Sequence, residues 1–387
     1  MKKKIAILGS TGSIGATTLK IVSKNLKNFD IILLSTHSNA EKLLKQSKKF
    51  NVKNVIIINN KKYLNFKKKF QKNNIKFFNN FENFNKIFNN KLDYVMSAIT
   101  GIDGLYPSLN IIKHTKKIAI ANKESIICGW NLINKELKKH KTNFIPVDSE
   151  HFSIYELTKN QNINNIKKII ITASGGPFLN KRAKKIKVKD ALKHPNWKMG
   201  KKISIDSATL MNKVFEVIEA KKIFKLDFKK IDILINPNSY LHSIIILKNG
   251  TIKMLAHETK MDIPIHNSLY ENCTNQYFDF NELDLKKINN INLVKPKTKF
   301  LPILKLINLI PNNDSLFETI LISVNDELVN LFLKNKISYK DLLKYLIKII
   351  KFKKFKKYCN VKPKSINDIY KINYLAKKYV HENIFKR

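Results

Sequence analysis

The chain has 387 residues and a mass of 45.0 kDa, enough for two or three domains, which excludes a small disulfide-stapled scaffold. Lys and Arg number 73 against 29 Asp and Glu, a formal charge of +44 that taken alone suggests a nucleic-acid or membrane partner. The excess is nearly all lysine, spread along the whole chain among many Asn, Ile, Phe and Tyr, with no zinc-finger spacing, RNP-like aromatic motif or Arg-rich arm. It reads as compositional drift on exposed faces, and no specific nucleic acid is expected.

Cys128, Cys273 and Cys359 are scattered and odd in number, which fits a reducing cytoplasm rather than a disulfide framework or a Cys-based zinc site. The apolar run after Met-Lys-Lys-Lys stops too soon for a signal peptide, and no apolar run is long enough to span a membrane. A soluble cytoplasmic chain without a membrane partner is expected.

In chain order, Lys4 to Leu8 reads as a strand, G-S-T-G-S-I-G from Gly9 to Gly15 as a glycine turn, and Ala16 to Val22 as a helix. In that arrangement backbone amides and a helix N-terminus can cradle a pyrophosphate, although Gly/Ser turns also close ordinary βα units. The second strand, Asp30 to Leu34, leads into S-T-H-S-N, and no acid stands between Ile31 and Ala40. An NAD site would place a carboxylate there for the ribose 2′-hydroxyl, so His37, Ser38 and Asn39 favour NADPH. Further strands are expected at Val55 to Ile58, Asp93 to Ile99 and Lys117 to Ala121. The last runs into N-K-E-S, which sends Asn122, Lys123 and Glu124 toward a ligand cleft or simply starts a helix capped by Asn122.

The apolar run Phe144 to Val147 leads into P-V-D-S-E-H. A strand continuing through it would turn the carboxylates of Asp148 and Glu150 to one side, a natural start for a hard divalent cation. A third acid, Glu216, ends D-S-A-T-L-M-N-K-V-F-E, where a helix would bring Asn212, Lys213 and Glu216 to one face. The same letters also serve a solvated turn and a surface helical acid. Between the two lie a strand, Lys168 to Thr172, the small-residue run A-S-G-G-P-F, and an irregular basic stretch ending in H-P-N-W-K-M-G. That stretch, about 175–199, reads as a lid with Trp197 as its apolar plug, or else as a solvated loop. Strands near Ile231 to Ile235, Leu241 to Leu247 and Ile252 to His257 are spaced like an open antiparallel sheet, and apolar residues recur at three and four from residue 299 onward.

Six runs, at 9–15, 121–125, 146–151, 174–178, 194–200 and 206–213 with Glu216, together resemble the 1-deoxy-D-xylulose 5-phosphate reductoisomerase family. The resemblance implies rearrangement and NADPH-dependent reduction of that phosphosugar to 2-C-methyl-D-erythritol 4-phosphate in isoprenoid precursor synthesis, with Mg²⁺, Mn²⁺ or Co²⁺, by a homodimer. It carries metal ligation to Asp148, Glu150 and Glu216, and catalysis to Lys123, Glu150 and Glu216. Substrate contacts fall on Lys123, Ser149, Glu150, Ser174, His194, Ser207, Asn212, Lys213 and Glu216. NADPH contacts fall on Thr11, Gly12, Ser13, Ile14, Asn39, Asn122, Glu124 and Gly200.

This chain departs from the family at His37, where glycine is common, at Asn236, and around 261–271. The expected fold class is α/β: an NADPH-binding domain over 1–149, a catalytic and metal-binding domain over 150–270, a connector over 271–298 and a helical domain over 299–387. The alternatives are another NADP-dependent dehydrogenase of a small acidic substrate, which needs a cysteine nucleophile in a context these cysteines lack, and a basic nucleic-acid-binding protein without catalysis.

Overall fold

The computed structural model describes residues 2–69, 74–179, 186–197, 199–270, 284–297 and 300–385. The chain forms two compact units, one of Met1–Ile126, Leu132–Asp148 and Met261–Asp279, the other of Ile127–Asn131, Ser149–Lys260 and Phe280–Arg387.

The first unit is built on a seven-stranded sheet. Its strands are β1 (Lys3–Leu8), β2 (Phe29–Thr36), β3 (Asn54–Ile57), β4 (Lys76–Phe78), β5 (Tyr94–Ser97), β6 (Lys117–Ile120) and β7 (Asn143–Pro146). All neighbours run parallel in the order β4-β3-β2-β1-β5-β6-β7. A parallel sheet is covered on both faces, which is why β1 and β5 read as unbroken apolar runs rather than alternating ones. Ile5 to Leu8, Val95 and Met96 are fully buried. Helices α1 (Ser13–Ser23), α2 (Ala40–Lys49) and α3 (Lys123–His140) follow β1, β2 and β6. The order of strands reverses at β1 and β5, and a doubly wound sheet takes its ligand at the carboxyl ends of such a switch point.

The stretch 261–270 belongs to this first unit. Its helix, Asp262–Tyr270, buries Ile265 and Leu269 in the core, and Lys20 meets the Asp262 carboxylate at 2.8 Å. Tyr94 and Ser268 share a buried hydrogen bond of 2.7 Å.

In the second unit, α4 (Ser149–Thr158), α5 (Lys201–Thr209) and α6 (Met211–Phe224) accompany β8 (Ile166–Ala173), β9 (Ile231–Ile235), β10 (Leu241–Leu247) and β11 (Ile252–Ala256). The sheet order is β11-β10-β8-β9, antiparallel for the first two pairs and parallel between β8 and β9. The expected antiparallel sheet is therefore a mixed one. The β10–β11 hairpin needs only a tight turn, whereas the chain returns from β8 to β9 through α5 and α6, a crossover that lays the two strands parallel.

Three long helices, α7 (Leu316–Leu333), α8 (Tyr339–Ile350) and α9 (Ile366–Phe385), form the C-terminal region. Their three-and-four spacing buries Leu328, Leu331, Leu342, Leu346, Ile369 and Val380. Ser315 and Glu318 form a capping box at the start of α7, and the same Glu318 takes the buried Lys222 ammonium of α6 at 2.8 Å. Among the described residues no helix is long and apolar enough to cross a membrane. Within 271–298, described residues include a short helix, Leu285–Asn289, and a bridge from Val294 to Ile235. Residues 180–185 and 198 of the expected lid, and Cys273, lie outside the described set.

Candidate active site

In the first unit the glycine turn lies between β1 and α1. A Cβ on Gly15 would meet the Gly9 carbonyl oxygen at 2.4 Å and the Ser10 Cα at 2.5 Å, so only glycine lets the turn close this tightly. Gly12 and Ser13 stand exposed where α1 begins, and Ile14 follows half-buried. Backbone amides at such a helix start suit a pyrophosphate, so the cradle fits a dinucleotide. Thr11 is tied to the end of β2 by a 2.7 Å hydroxyl contact with Thr36, and Asn39 caps α2 by accepting from the Lys42 amide at 3.2 Å.

At the end of β6, Asn122 is the N-cap of α3. Its Oδ1 accepts from the Ser125 amide at 2.7 Å while its Nδ2 donates to the carbonyls of Ile99 and Gly101. Lys123 and Glu124 follow, both buried, and the Lys123 ammonium lies 3.1 Å from the Asp148 carboxylate.

The expectation of one strand through Asp148 and Glu150 is corrected by the structure. β7 stops at Pro146 and α4 begins at Ser149, which puts Glu150 in a first helical turn. An acid is favoured there by the helix dipole, and the strand loses its partner amide at proline.

In the second unit, Lys213 joins the first turn of α4 to α6. Its ammonium donates to Glu150 Oε1 at 2.9 Å and to the Thr172 carbonyl at 2.6 Å, and it also contacts the Glu216 carboxylate. Burial works against the charge on Lys213, but Glu150 and Glu216 outweigh it and raise its pKa. The expected shared face of Asn212, Lys213 and Glu216 is present, since Asn212 donates to Glu216 four residues on. Two carboxylates around one ammonium leave a net negative charge at a buried place with only oxygen donors. That donor set fits a hard divalent cation.

Ser174, His194 and Ser207 come from three other segments of the same unit. The His194 Nδ1 accepts from the amides of Asn196 at 3.2 Å and Trp197 at 2.9 Å, which leaves the ring proton on Nε2, 2.9 Å from the Ser174 hydroxyl. Ser174 thus accepts from His194 and from the Gly176 amide at 3.1 Å, and keeps its own proton to donate. The half-buried Ser207 hydroxyl has no hydrogen-bond partner among the described residues. Gly200, exposed, starts α5.

Burial, together with the charge of Lys213, lowers the His194 pKa from 6.5 to about 4. Between those values the unfolded chain binds more protons than the native one, so the stabilisation is complete above 6.5 and is lost as pH falls toward 4. The urea midpoint should therefore drop between pH 7 and pH 5, with a shallower slope in His194→Gln. An identical slope in the variant would show that the ring is not held neutral.

Several supporting groups carry no sequence signature of their own. Asn325 of α7 donates to the Asp206 carboxylate at 2.8 Å, Lys202 meets that carboxylate at 2.9 Å and Asp326 at 3.0 Å, and the Tyr339 hydroxyl donates to the Ala208 carbonyl at 2.8 Å. The C-terminal helices thus hold α5 on both sides of Ser207. His151, next to Glu150, is fully buried and reaches the Glu216 carbonyl at 2.9 Å and the Glu219 carboxylate at 3.5 Å, tying α4 to α6. Asn236 is fully buried and turns its amide onto the Asn292 carbonyl and the Leu241 amide, a turn-holding role. Cys128 is buried in α3, and burial and Glu318 push the Cys359 thiol up, the reverse of an activated nucleophile.

A glycine turn at the switch point of a doubly wound sheet, with a second unit that gathers acids, an ammonium and serine hydroxyls, defines a two-unit dinucleotide-dependent oxidoreductase. Residues 5–129 match the sequence profile of 1-deoxy-D-xylulose 5-phosphate reductoisomerase, 144–224 that of its C-terminal domain, and 257–379 that of a DXP reductoisomerase C-terminal domain. A 1-deoxy-D-xylulose 5-phosphate reductoisomerase of Pelagibacter ubique is 57% identical over 96% of this chain and 97% of its own. The chain belongs to the 1-deoxy-D-xylulose 5-phosphate reductoisomerase family. The fold agrees with the Zymomonas mobilis enzyme in complex with NADPH, at a TM-score of 0.88 and 28% identity over the whole of both chains. It agrees also with a reductoisomerase solved with NADPH, fosmidomycin and magnesium, at a TM-score of 0.89 and 29% identity over 99% of this chain and 98% of that one.

Proposed function

We propose that this chain rearranges 1-deoxy-D-xylulose 5-phosphate and reduces the product to 2-C-methyl-D-erythritol 4-phosphate, with NADPH and a divalent cation. The observation that carries the reading is the convergence of Glu150, Lys213 and Glu216, from motifs more than sixty residues apart, in a chain 57% identical to a named reductoisomerase. Asp148, two residues before Glu150, completes the ligand set Asp148, Glu150 and Glu216. A divalent cation held by them supplies Lewis acidity toward the substrate's carbonyl and hydroxyl oxygens. Bound NADPH supplies the hydride.

The remaining work falls to the chain's own groups. Lys123, paired with Asp148, brings a buried positive charge beside the oxygen that gains negative charge in the rearrangement. The Ser174 hydroxyl, held by neutral His194, and those of Ser207 and Ser149, with Asn212 and Lys213, are donors suited to the substrate's phosphate and hydroxyls. Thr11 to Ile14 and Asn39 serve the pyrophosphate and the adenosine end of NADPH, and Asn122, Glu124 and Gly200 the rest of the cofactor. Of the expected lid, the described residues 175–179 and 186–197 cover bound substrate in this reading, with Trp197, edge-on to His242, as their apolar part.

A homodimer in the cytoplasm completes the proposal. The edge strand β11 leaves Ile252 55% and Met254 54% exposed, a surface that a second copy would cover. Sedimentation velocity tests that part, and a monomer would remove it. The activity itself is tested by following NADPH absorbance with deoxyxylulose phosphate and Mg²⁺ or Mn²⁺. No substrate-dependent oxidation with either metal would overturn the reading.

A further inference from the structure

We propose that Lys42 is the residue that selects a dinucleotide carrying a 2′-phosphate. The proposal rests on the reading that NADPH is the reductant, and it names the group that makes the choice.

In a doubly wound sheet the adenosine ribose lies at the end of the second strand, beside the glycine turn. Here β2 ends at Thr36, and His37, Ser38 and Asn39 follow, all exposed and none acidic. The absence of a carboxylate removes a repulsion but supplies no attraction. The Asn39 Oδ1 caps α2 by accepting from the Lys42 amide, which leaves its Nδ2 as a neutral donor at the adenosine end but supplies no positive charge.

The attraction is present one turn into the helix. The Lys42 ammonium donates to the Thr11 carbonyl, inside the glycine turn, at 2.8 Å. Thr11 in turn is bound to Thr36, so Lys42 is anchored to the two segments that border the ribose position. An ammonium has three donors, and this one uses a single donor on the protein. Lys42 is exposed and takes part in no ion pair among the described residues. Its sequence neighbour Glu41 is exposed too, and adjacent helical residues do not face each other. A fixed point charge with two uncommitted N–H groups at the mouth of a helix start suits a phosphate monoester of nearly two negative charges. A 2′-hydroxyl offers it far less.

The competing role is a strut. Lys42 would then only hold the glycine turn, and its loss would weaken every dinucleotide alike. Calorimetric binding of NADPH, NADH, adenosine 2′,5′-bisphosphate and adenosine 5′-monophosphate to the full chain, without substrate, separates the two. Lys42→Ala should weaken NADPH and the bisphosphate about tenfold or more and leave NADH and the monophosphate within about twofold, with Lys42→Arg restoring most of the difference. Equal weakening of NADPH and NADH, or an NADPH preference that survives Lys42→Ala, overturns the assignment while leaving the cofactor reading intact. Equal binding of both dinucleotides by the unaltered chain overturns the cofactor reading and this assignment with it.

Discussion

Glu150→Gln should abolish turnover, by at least about a thousandfold or ~4 kcal/mol of transition-state stabilisation, while NADPH affinity stays within about twofold. Glutamine keeps the shape of the side chain and an oxygen for the Lys213 ammonium now at 2.9 Å, so α4 and α6 stay joined. What it removes is one of the negative charges that would hold a hard cation, and a neutral amide oxygen is a poor substitute. The cofactor cradle, built from Gly9 to Gly15 in the other unit, is untouched. Titrating the variant with Mg²⁺ and Mn²⁺ should show weakened metal dependence before any loss of fold by circular dichroism. Near-normal activity in the variant, or activity that survives exhaustive chelation of the unaltered chain, would sink the metal assignment.

Gly176→Ala should cost about a hundredfold in kcat/KM with little change in NADPH binding, because it pushes apart the two segments assigned to the phosphate. Gly176 has φ +68°, a conformation that costs an L-residue about 1 kcal/mol or more. Its added Cβ would lie 2.7 Å from the Ser207 carbonyl oxygen and 3.2 Å from the Ala208 Cα, both backbone atoms that cannot rotate away. The strain falls between Ser174, whose hydroxyl accepts from the Gly176 amide, and Ser207, whose helix is held from behind by Asn325 and Tyr339. Gly250→Ala is the control, with φ +86° and no atom within 4 Å of the new Cβ, so it carries conformational strain without the collision. If Gly176→Ala keeps kcat/KM within about twofold, Ser174 and Ser207 do not act on the same group.

The parts of this molecule that depend on near neighbours are readable from the letters. The glycine spacing from Gly9 to Gly15, the capping Asn122, and the one helical face shared by Asn212 and Glu216 are local geometry, set by backbone dihedrals and the helical repeat. The parallel core strands announce themselves as apolar runs because both faces are buried. The strand to helix switch after Pro146 was harder to read, since the apolar run Phe144 to Val147 gives no sign of where the ladder of partners ends.

Tertiary structure alone decided the rest. Sequence placed Lys213 on the face with Glu216, but only the packing of α4 against α6 makes it the link to Glu150, 63 residues away. Sequence shows Gly175 and Gly176 only as part of a small-residue run, whereas the reason Gly176 admits no side chain is the Ser207 carbonyl of a distant helix. The parallel pairing of β8 with β9, the support of α5 by Asn325 and Tyr339, and the reach of Lys42 to Thr11 are likewise invisible in one dimension. Each is a contact between segments far apart in the chain, fixed by which faces pack together, and a side chain's own neighbours in sequence carry no record of that packing.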